Sequence, residues 1–334
     1  MKKVTSIIAI VLCAVIVSGL VSYDFVKNSN TVENTYIAMG TVIKSDIRGK
    51  DAQVATAEIK ELISGIENSY LSWRTENSDV WRINTDAGRS VSVSRETSQW
   101  ISRCIDISVD CEGSFDITIG KISRLWNIGN GDEKVPARAE INSLLKTVGY
   151  KNVFVDDTTV RIGQGQAIDL GAVGKGIACD CIKDILDKYD IKSAVISVGG
   201  SILIYGDNAT VGIVDPDNSS DYMATVEIDG QCVSTSGDYE RYFEADGKKY
   251  HHIIDPESGY PSVSDLKSVT VICNSGLDSD ALSTACFVMG YKKGLALLEK
   301  YDAQAVFIFD NNTVTVTEGL KNNFKLNSNK YMVE

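Results

Sequence analysis

At 334 residues, 43% hydrophobic and 23% charged, the chain has room for one large domain or two closely packed subdomains, and its composition excludes a disordered or fibrous protein. A formal net charge of -12 excludes nucleic acid as a partner, because neutralising phosphates takes clustered Lys and Arg. Any phosphate it binds belongs to a small molecule, held with the help of a divalent cation and helix N-termini.

The chain begins Met1-Lys2-Lys3, runs apolar from Val4 to Val21, and turns polar at Asn28-Ser29-Asn30-Thr31. This is the pattern of an export segment. About 20 apolar residues span a bilayer, so the run is short for an anchor and slightly long for a secretory core. No small-x-small site ends it, which favours a retained membrane helix over a cleaved signal. Lys2 and Lys3 put the N-terminus inside, so the expected place is the cell membrane with the body extracytoplasmic. Cys13 sits within the run behind Ile10-Val11-Leu12 and does not make a lipoprotein signal. Residues 1–32 are therefore expected to be anchor or signal plus linker, and residues 33–334 a single folded domain. The seven other cysteines are irregularly spaced, and Cys179 and Cys181 point in different directions on a helix; buried thiols are expected, not a disulfide framework or a zinc site.

Beyond the linker, Thr35 to Ile47 reads as a strand interrupted at Met39-Gly40-Thr41. Helical periods follow over Asp51 to Tyr70 and Ser94 to Cys111, and Pro136 opens a third helix that Gly149 closes. From Asn152 the pattern turns to strands: 153–155, 160–162 and Ala167 to Leu170, the last leading into a glycine turn and a helix to Tyr189. Further strands are expected at 194–198, 202–205, 211–214, 224–228, 232–235, 239–245 and 268–273. One long helix from Leu277 to Tyr301 and a hairpin of 305–309 with 314–316 complete an α+β body with a mostly antiparallel sheet.

Asp278-Ser279-Asp280-Ala281-Leu282-Ser283-Thr284-Ala285 places a carboxylate and a hydroxyl four residues apart, on one helical face. Asp280 and Thr284 offer oxygen ligands, which suit magnesium better than zinc; the alternative is an Asp that caps a helix. Asp169-Leu170-Gly171-Ala172-Val173-Gly174-Lys175-Gly176 is a glycine-rich turn that matches neither the dinucleotide nor the P-loop spacing. Its free N–H groups and Lys175 can face a pyrophosphate, or it is simply a tight strand-to-helix turn. The only histidines, His251 and His252, are neighbours on an extended segment, so one faces inward and one outward; a general base and a core histidine are both open readings. Phe115-Asp116 combines a packing ring with a carboxylate, and Trp73 beside a turn can stack on a flat ring or serve the core.

Together with Met39-Gly40-Thr41, Gly113-Ser114-Phe115-Asp116-Ile117-Thr118, Ser234-Thr235-Ser236-Gly237-Asp238-Tyr239 and His252-Ile253-Ile254-Asp255-Pro256 with Gly259, these segments in this order resemble the ApbE family, the FAD:protein FMN transferases, over about residues 35 to 320. The resemblance implies an α+β, ApbE-like (T-fold-related) catalytic domain. It implies an extracytoplasmic enzyme that takes FAD as substrate, needs Mg2+, and moves FMN onto a threonine hydroxyl of a target flavoprotein, such as a membrane redox-complex subunit, with release of AMP. It also implies that Asp280, Thr284 and the carbonyl of Ala172 hold the cation. FAD contacts would fall to Met39, Trp73, Ser114, Phe115, Asp116, Asp169, Lys175, Ile254 and Ser283, with His252 as base. Trp73 stands where the family commonly has tyrosine and Gly174 where alanine is common, and the usual lipoprotein cysteine is absent. An FAD pyrophosphatase giving FMN and AMP, and a non-catalytic extracytoplasmic flavin-binding protein, are the competing readings. Asp207-Asn208-Ala209-Thr210 begins like an acceptor motif but reaches Ile213 where a hydroxyl residue is needed, which argues against self-modification.

Overall fold

The computed structural model describes residues 30–334, so the expected N-terminal anchor lies outside the described residues. No described helix is long and apolar enough to cross a membrane. The chain opens with β1 (Thr31–Ala38) and β2 (Thr41–Gly49), then α1 (Ala52–Gly65), whose last turn widens into a π-helix over Ile66–Leu71. There follow α2 (Asp79–Thr85), β3 (Ser90–Ser92), α3 (Arg95–Asp110), α4 (Gly120–Trp126), α5 (Arg138–Leu145), β4 (Phe154–Asp156) and β5 (Thr159–Arg161). Next come α6 (Gly174–Leu186), β6 (Ile191–Val198), β7 (Ser201–Tyr205), β8 (Ala209–Asp215), β9 (Asn218–Ile228), β10 (Cys232–Gly237), β11 (Tyr242–Ala245) and β12 (Lys248–His251). The chain ends through β13 (Leu266–Cys273), α7 (Gly276–Met289), α8 (Tyr291–Glu299), β14 (Gln304–Phe309), β15 (Thr313–Val316), β16 (Phe324–Leu326) and β17 (Met332–Val333).

A nine-stranded sheet in the order β1-β2-β6-β7-β10-β13-β14-β15-β17 forms the backbone of the molecule. Every neighbouring pair in it is antiparallel except β15 with β17. A three-stranded sheet, β16-β9-β8, shares an apolar cluster with it that includes Val211, Met223, Val233, Ile272 and Ile308. Helices α1, α6 and α7 pack on the opposite face. Met39 and Gly40 make the tight β1–β2 turn, both with positive φ, which explains the break expected at that point.

Helix α7 is buried nearly all round, with Leu277, Ala281, Leu282, Ala285 and Phe287 in the largest core cluster. It crosses α6 in close backbone contact. A methyl group built on Gly176 would overlap the carbonyl of Gly276, and one on Gly276 would overlap the carbonyl of Gly176. The two glycines therefore let the first turns of both helices meet backbone to backbone.

Two expected elements differ. The helix expected over 277–301 is two helices, because Gly290 takes φ +75° and ends α7 before Tyr291 starts α8. The strand expected at Ala167 to Leu170 is not a strand. Ala167 bridges Ile119 and the Asp169 N–H reaches the Ile117 carbonyl, but the Asn84 side chain takes both the N–H and the carbonyl of Ile168, at 2.7 and 2.9 Å. A side-chain amide here does what a neighbouring strand would do. The seven described cysteines are all free, and six of them are buried.

Because the obstruction at Gly176 is backbone and not a movable side chain, Gly176→Ala should lower stability by roughly 2–3 kcal/mol or prevent folding. Urea denaturation of the variant tests this, and an unchanged midpoint would contradict the crossing as described.

Candidate functional site

The crossing of α6 and α7 places the two sequence motifs against each other. Asp280 lies one helical turn after Gly276, and its Oδ2 accepts the Gly176 N–H at 2.6 Å. Asp180 lies one turn after Gly176, and its Oδ1 accepts the Gly276 N–H at 2.5 Å. Each helix thus carries the carboxylate that receives a free N–H from the first turn of the other, a favourable position for negative charge. Asp280 does cap a helix, but not its own: Ser275 caps α7, accepting from the Asp278 N–H at 3.2 Å.

The two carboxylates are not equally engaged. Asp180 also accepts from the Leu277 N–H and the Ser275 hydroxyl, at 2.9 and 3.0 Å. Burial pushes its pKa up against these bonds. Asp280, 3% exposed, has one bond per oxygen, the second being from the Ser201 hydroxyl to Oδ1 at 2.6 Å. A carboxylate oxygen accepts more than one partner, so Asp280 retains coordinating capacity. One turn further along α7, the Thr284 hydroxyl lies 3.3 Å from the Ser236 hydroxyl, which also meets Ser283 at 2.8 Å. Ser283 in turn donates to the Asp280 carbonyl at 2.9 Å. Ser236, on β10, and Asp180 are participants that the sequence reading did not assign. The repeated spacing Gly176 to Asp180 and Gly276 to Asp280 was the available signal.

These donors fit a hard divalent cation. Among the described residues no three His, Cys, Asp or Glu side chains gather as metal ligands. A cation here would rest on one carboxylate and neutral oxygens, a set that magnesium accepts while keeping several waters. Ala172 lies exposed in the turn just before α6.

Basic groups gather beside this acidic pair. A methyl group on Gly200, in the β6–β7 turn, would lie 3.1 Å from the Lys175 Nζ and 3.6 Å from a Glu240 carboxylate oxygen. Burial pushes the Glu240 carboxyl up, Lys175 and Arg241 pull it down, and Asp280 pushes it up again. Gly199, Gly200, Thr235 and Glu240 line a small cavity at this point. His252 follows β12, its backbone N–H donating to the Arg241 carbonyl at 3.0 Å and its Nδ1 lying 3.3 Å from the same oxygen. Burial first, then the charges of Arg241, His251 and Lys175, drive its pKa down to about 3. His252 is therefore neutral near pH 7. His251 is the inward histidine: its Nε2 meets the Ser262 carbonyl at 3.0 Å and its ring sits edge-on to Phe287. That is a core role.

The remaining residues lie on other elements. The Met39 N–H donates to Glu67 at 2.9 Å, and the Met39 methyl would lie 3.6 Å from a methyl group on Gly174. Leu71 would lie 3.3 Å from the same point, which accounts for glycine there. Asp116 is committed to its own loop, Oδ1 accepting the Thr118 N–H and hydroxyl at 2.8 and 2.7 Å and Oδ2 the Tyr150 N–H at 2.8 Å. Phe115 is buried and Ser114 half-buried, so of this segment only Ser114 keeps an exposed side. Asp169 accepts the Gly171 N–H at 2.8 Å, and Ile254 packs at the edge of the Trp126 cluster. The Arg74 and Arg124 guanidinium carbons lie 4.0 and 4.1 Å from the Trp73 ring centroid. Burial lowers the Arg124 pKa, Asp169 raises it and Arg74 lowers it.

The sequence pattern of the ApbE family matches residues 39–308. A protein of Klebsiella pneumoniae named FAD:protein FMN transferase is 35% identical over 303 residues, covering 89% of this chain and 95% of its own. One of the same name from Treponema pallidum is 32% identical, covering 89% and 90%. Among solved structures, the ApbE protein of Thermotoga maritima superimposes with a TM-score of 0.80 at 31% identity, covering 86% of this chain and 97% of that one. Apo flavinyl transferase ApbE of Pseudomonas stutzeri gives 0.79 at 28% identity, covering 91% and 100%.

The depressed His252 pKa has a consequence for stability. Between about pH 6.5 and 3 the unfolded chain binds a proton at this position that the native chain refuses, so stability falls as pH drops through that window. His252→Asn should lose less stability than the parent between pH 7.5 and pH 4.5. Urea midpoints at the two pH values measure it, and parallel losses in both proteins would refute the assignment.

Proposed function

The chain belongs to the ApbE family, and we propose that it transfers the FMN moiety of FAD to a threonine hydroxyl of a target flavoprotein, releasing AMP, with its body outside the cytoplasm. The observation that carries this reading is the Gly176 N–H on Asp280, which joins the glycine turn to the oxygen-ligand helix. Two motifs separated by about a hundred residues thereby meet at one place, with Lys175 in the first turn of α6 to face a pyrophosphate.

In the reaction the acceptor hydroxyl attacks the phosphorus nearest riboflavin. A new P–O bond to the acceptor forms, the anhydride bond breaks, AMP carries away the electron pair, and the hydroxyl proton passes to a base. Asp280, Thr284 and the carbonyl of Ala172 would hold magnesium, which when bound would neutralise charge developing on the pyrophosphate. Lys175 contributes a fixed positive charge from the first turn of α6. The neutral imidazole of His252 is ready to accept a proton. Lys175 and Arg241 depress its basicity, and a bound pyrophosphate facing these cations would offset them, raising the basicity of His252 when substrate is present. Trp73 offers its indole to the flavin, while Met39 sits over the start of α6.

The test is AMP release and covalent flavin fluorescence with residues 33–334, FAD, Mg2+ and a protein carrying an Asp/Ser-x-Ala-Thr-x-x-Ser/Thr acceptor motif. Metal-dependent AMP with a fluorescent acceptor band is the expected result. AMP without that band would make the protein a pyrophosphatase, and flavin retention without AMP a flavin carrier. Asp280→Ala should lose more activity than His252→Ala, whose loss should fall in the ~10²–10⁴ range of a general base. Near-normal turnover by Asp280→Ala would overturn the metal assignment.

A further inference from the structure

Arg124 holds an empty hydrogen-bonding edge. Its side chain, from α4, is only partly exposed and lies against the Trp73 ring at 4.1 Å, yet its Nε and Nη2 are sealed from water without a hydrogen-bond partner among the described residues. A guanidinium keeps its charge and has donors only, so two dry N–H groups are a standing cost unless something accepts from them. Asp169 does not. It acts on Arg124 through space, but no ion pair joins them, and one Asp169 oxygen accepts the Gly171 N–H. Arg74, the second guanidinium over Trp73, is exposed and keeps its charge in water.

The Nε and Nη2 of an arginine form one side of its planar fork. This chain uses the same side elsewhere: Arg103 donates through Nε and Nη2 to the two oxygens of Asp278, at 2.8 and 2.6 Å. Arg124 presents an equivalent edge, its guanidinium carbon 4.1 Å from the centroid of an indole ring, with no acceptor. The missing partner is therefore a group with two adjacent acceptors, beside an aromatic surface.

We propose that Arg124 binds the flavin ring of FAD, its Nε and Nη2 donating to adjacent carbonyl oxygen and ring nitrogen acceptors on one edge of the isoalloxazine while that ring lies against Trp73. This rests on FAD being the substrate. The flavin supplies both requirements at once, a flat aromatic surface and an edge of paired acceptors. A phosphate would satisfy the fork but has no use for the indole.

Binding separates the two occupants. FAD and ADP share the pyrophosphate and adenosine, and only FAD carries the flavin. For Arg124→Gln, FAD affinity, followed by flavin fluorescence, should fall at least tenfold while ADP affinity stays within twofold of the parent. Arg124→Lys, which keeps the charge and loses the fork, should fall similarly for FAD. In transfer assays KM for FAD should rise more than kcat falls. The ligand-free melting temperature should not drop in Arg124→Gln, because the donors it removes have no partner. Equal losses for FAD and ADP would place Arg124 on the phosphates and overturn the proposal, as would unchanged FAD affinity or a lowered ligand-free melting temperature with both ligands weakened. If the parent itself fails to bind FAD, the substrate assignment falls first; if the parent binds and transfers normally while Arg124→Gln matches it, only the role of Arg124 falls.

Discussion

Everything in the site depends on the crossing of α6 and α7 at Gly176 and Gly276. Two helix N-termini meeting backbone to backbone bring free N–H groups and partial positive charge to one buried point. Such a junction is stable only if the N–H groups are satisfied, and Asp180 and Asp280 do this reciprocally, each one turn beyond the glycine of its own helix. The cost of burying two carboxylates is offset by the same interactions that resolve the helix ends. Fold and proposed chemistry therefore share one set of atoms.

The reciprocity is broken where function requires it. Asp180 gathers three donors, from Ser275, Gly276 and Leu277, and is spent on structure. Asp280 has two, from Gly176 and Ser201, and faces Thr284 and Ser236 along its own helix and the neighbouring β10. Beyond it stand Glu240 and His252, and the charges of Lys175 and Arg241 lower the proton affinity of both. An acidic protein with net charge -12 can admit a pyrophosphate only where it gathers cations and helix ends, and this is such a place.

Much of this was legible in the sequence because it is local. The i, i+4 pair of Asp280 and Thr284, the glycine turn and the alternation of His251 and His252 are patterns over a few residues, and the structure keeps all three. What the sequence hid was non-local. Nothing in Asn84 announces that its amide replaces a strand along Ile168, and the periodicity of 277–301 masks the Gly290 break because the residues on both sides of it are helical. Asp180 sits unmarked between Cys179 and Cys181 in the sequence, and its partner is a backbone N–H about a hundred residues away. Nor does the sequence show that Asp116, a carboxylate that can be offered to a ligand, also clasps Thr118 and Tyr150. A side chain's type can be read from the sequence, but its vacancy cannot.

Vacancy distinguishes the two ends of the site. At the α6–α7 junction nearly every polar atom has a partner, so that end is rigid and presents its charges in fixed positions, as stabilising a charged transition state requires. At Trp73 the reverse holds: a partly exposed indole lies under two guanidinium groups, one in water and one with dry donors. Such an end gains most from its ligand, because binding removes a cost already present in the free protein. A substrate with a pyrophosphate in the middle and an aromatic ring at one end would be gripped by a rigid centre and an adaptable edge. The energy gained at the edge would then serve to hold the reacting phosphorus against the centre.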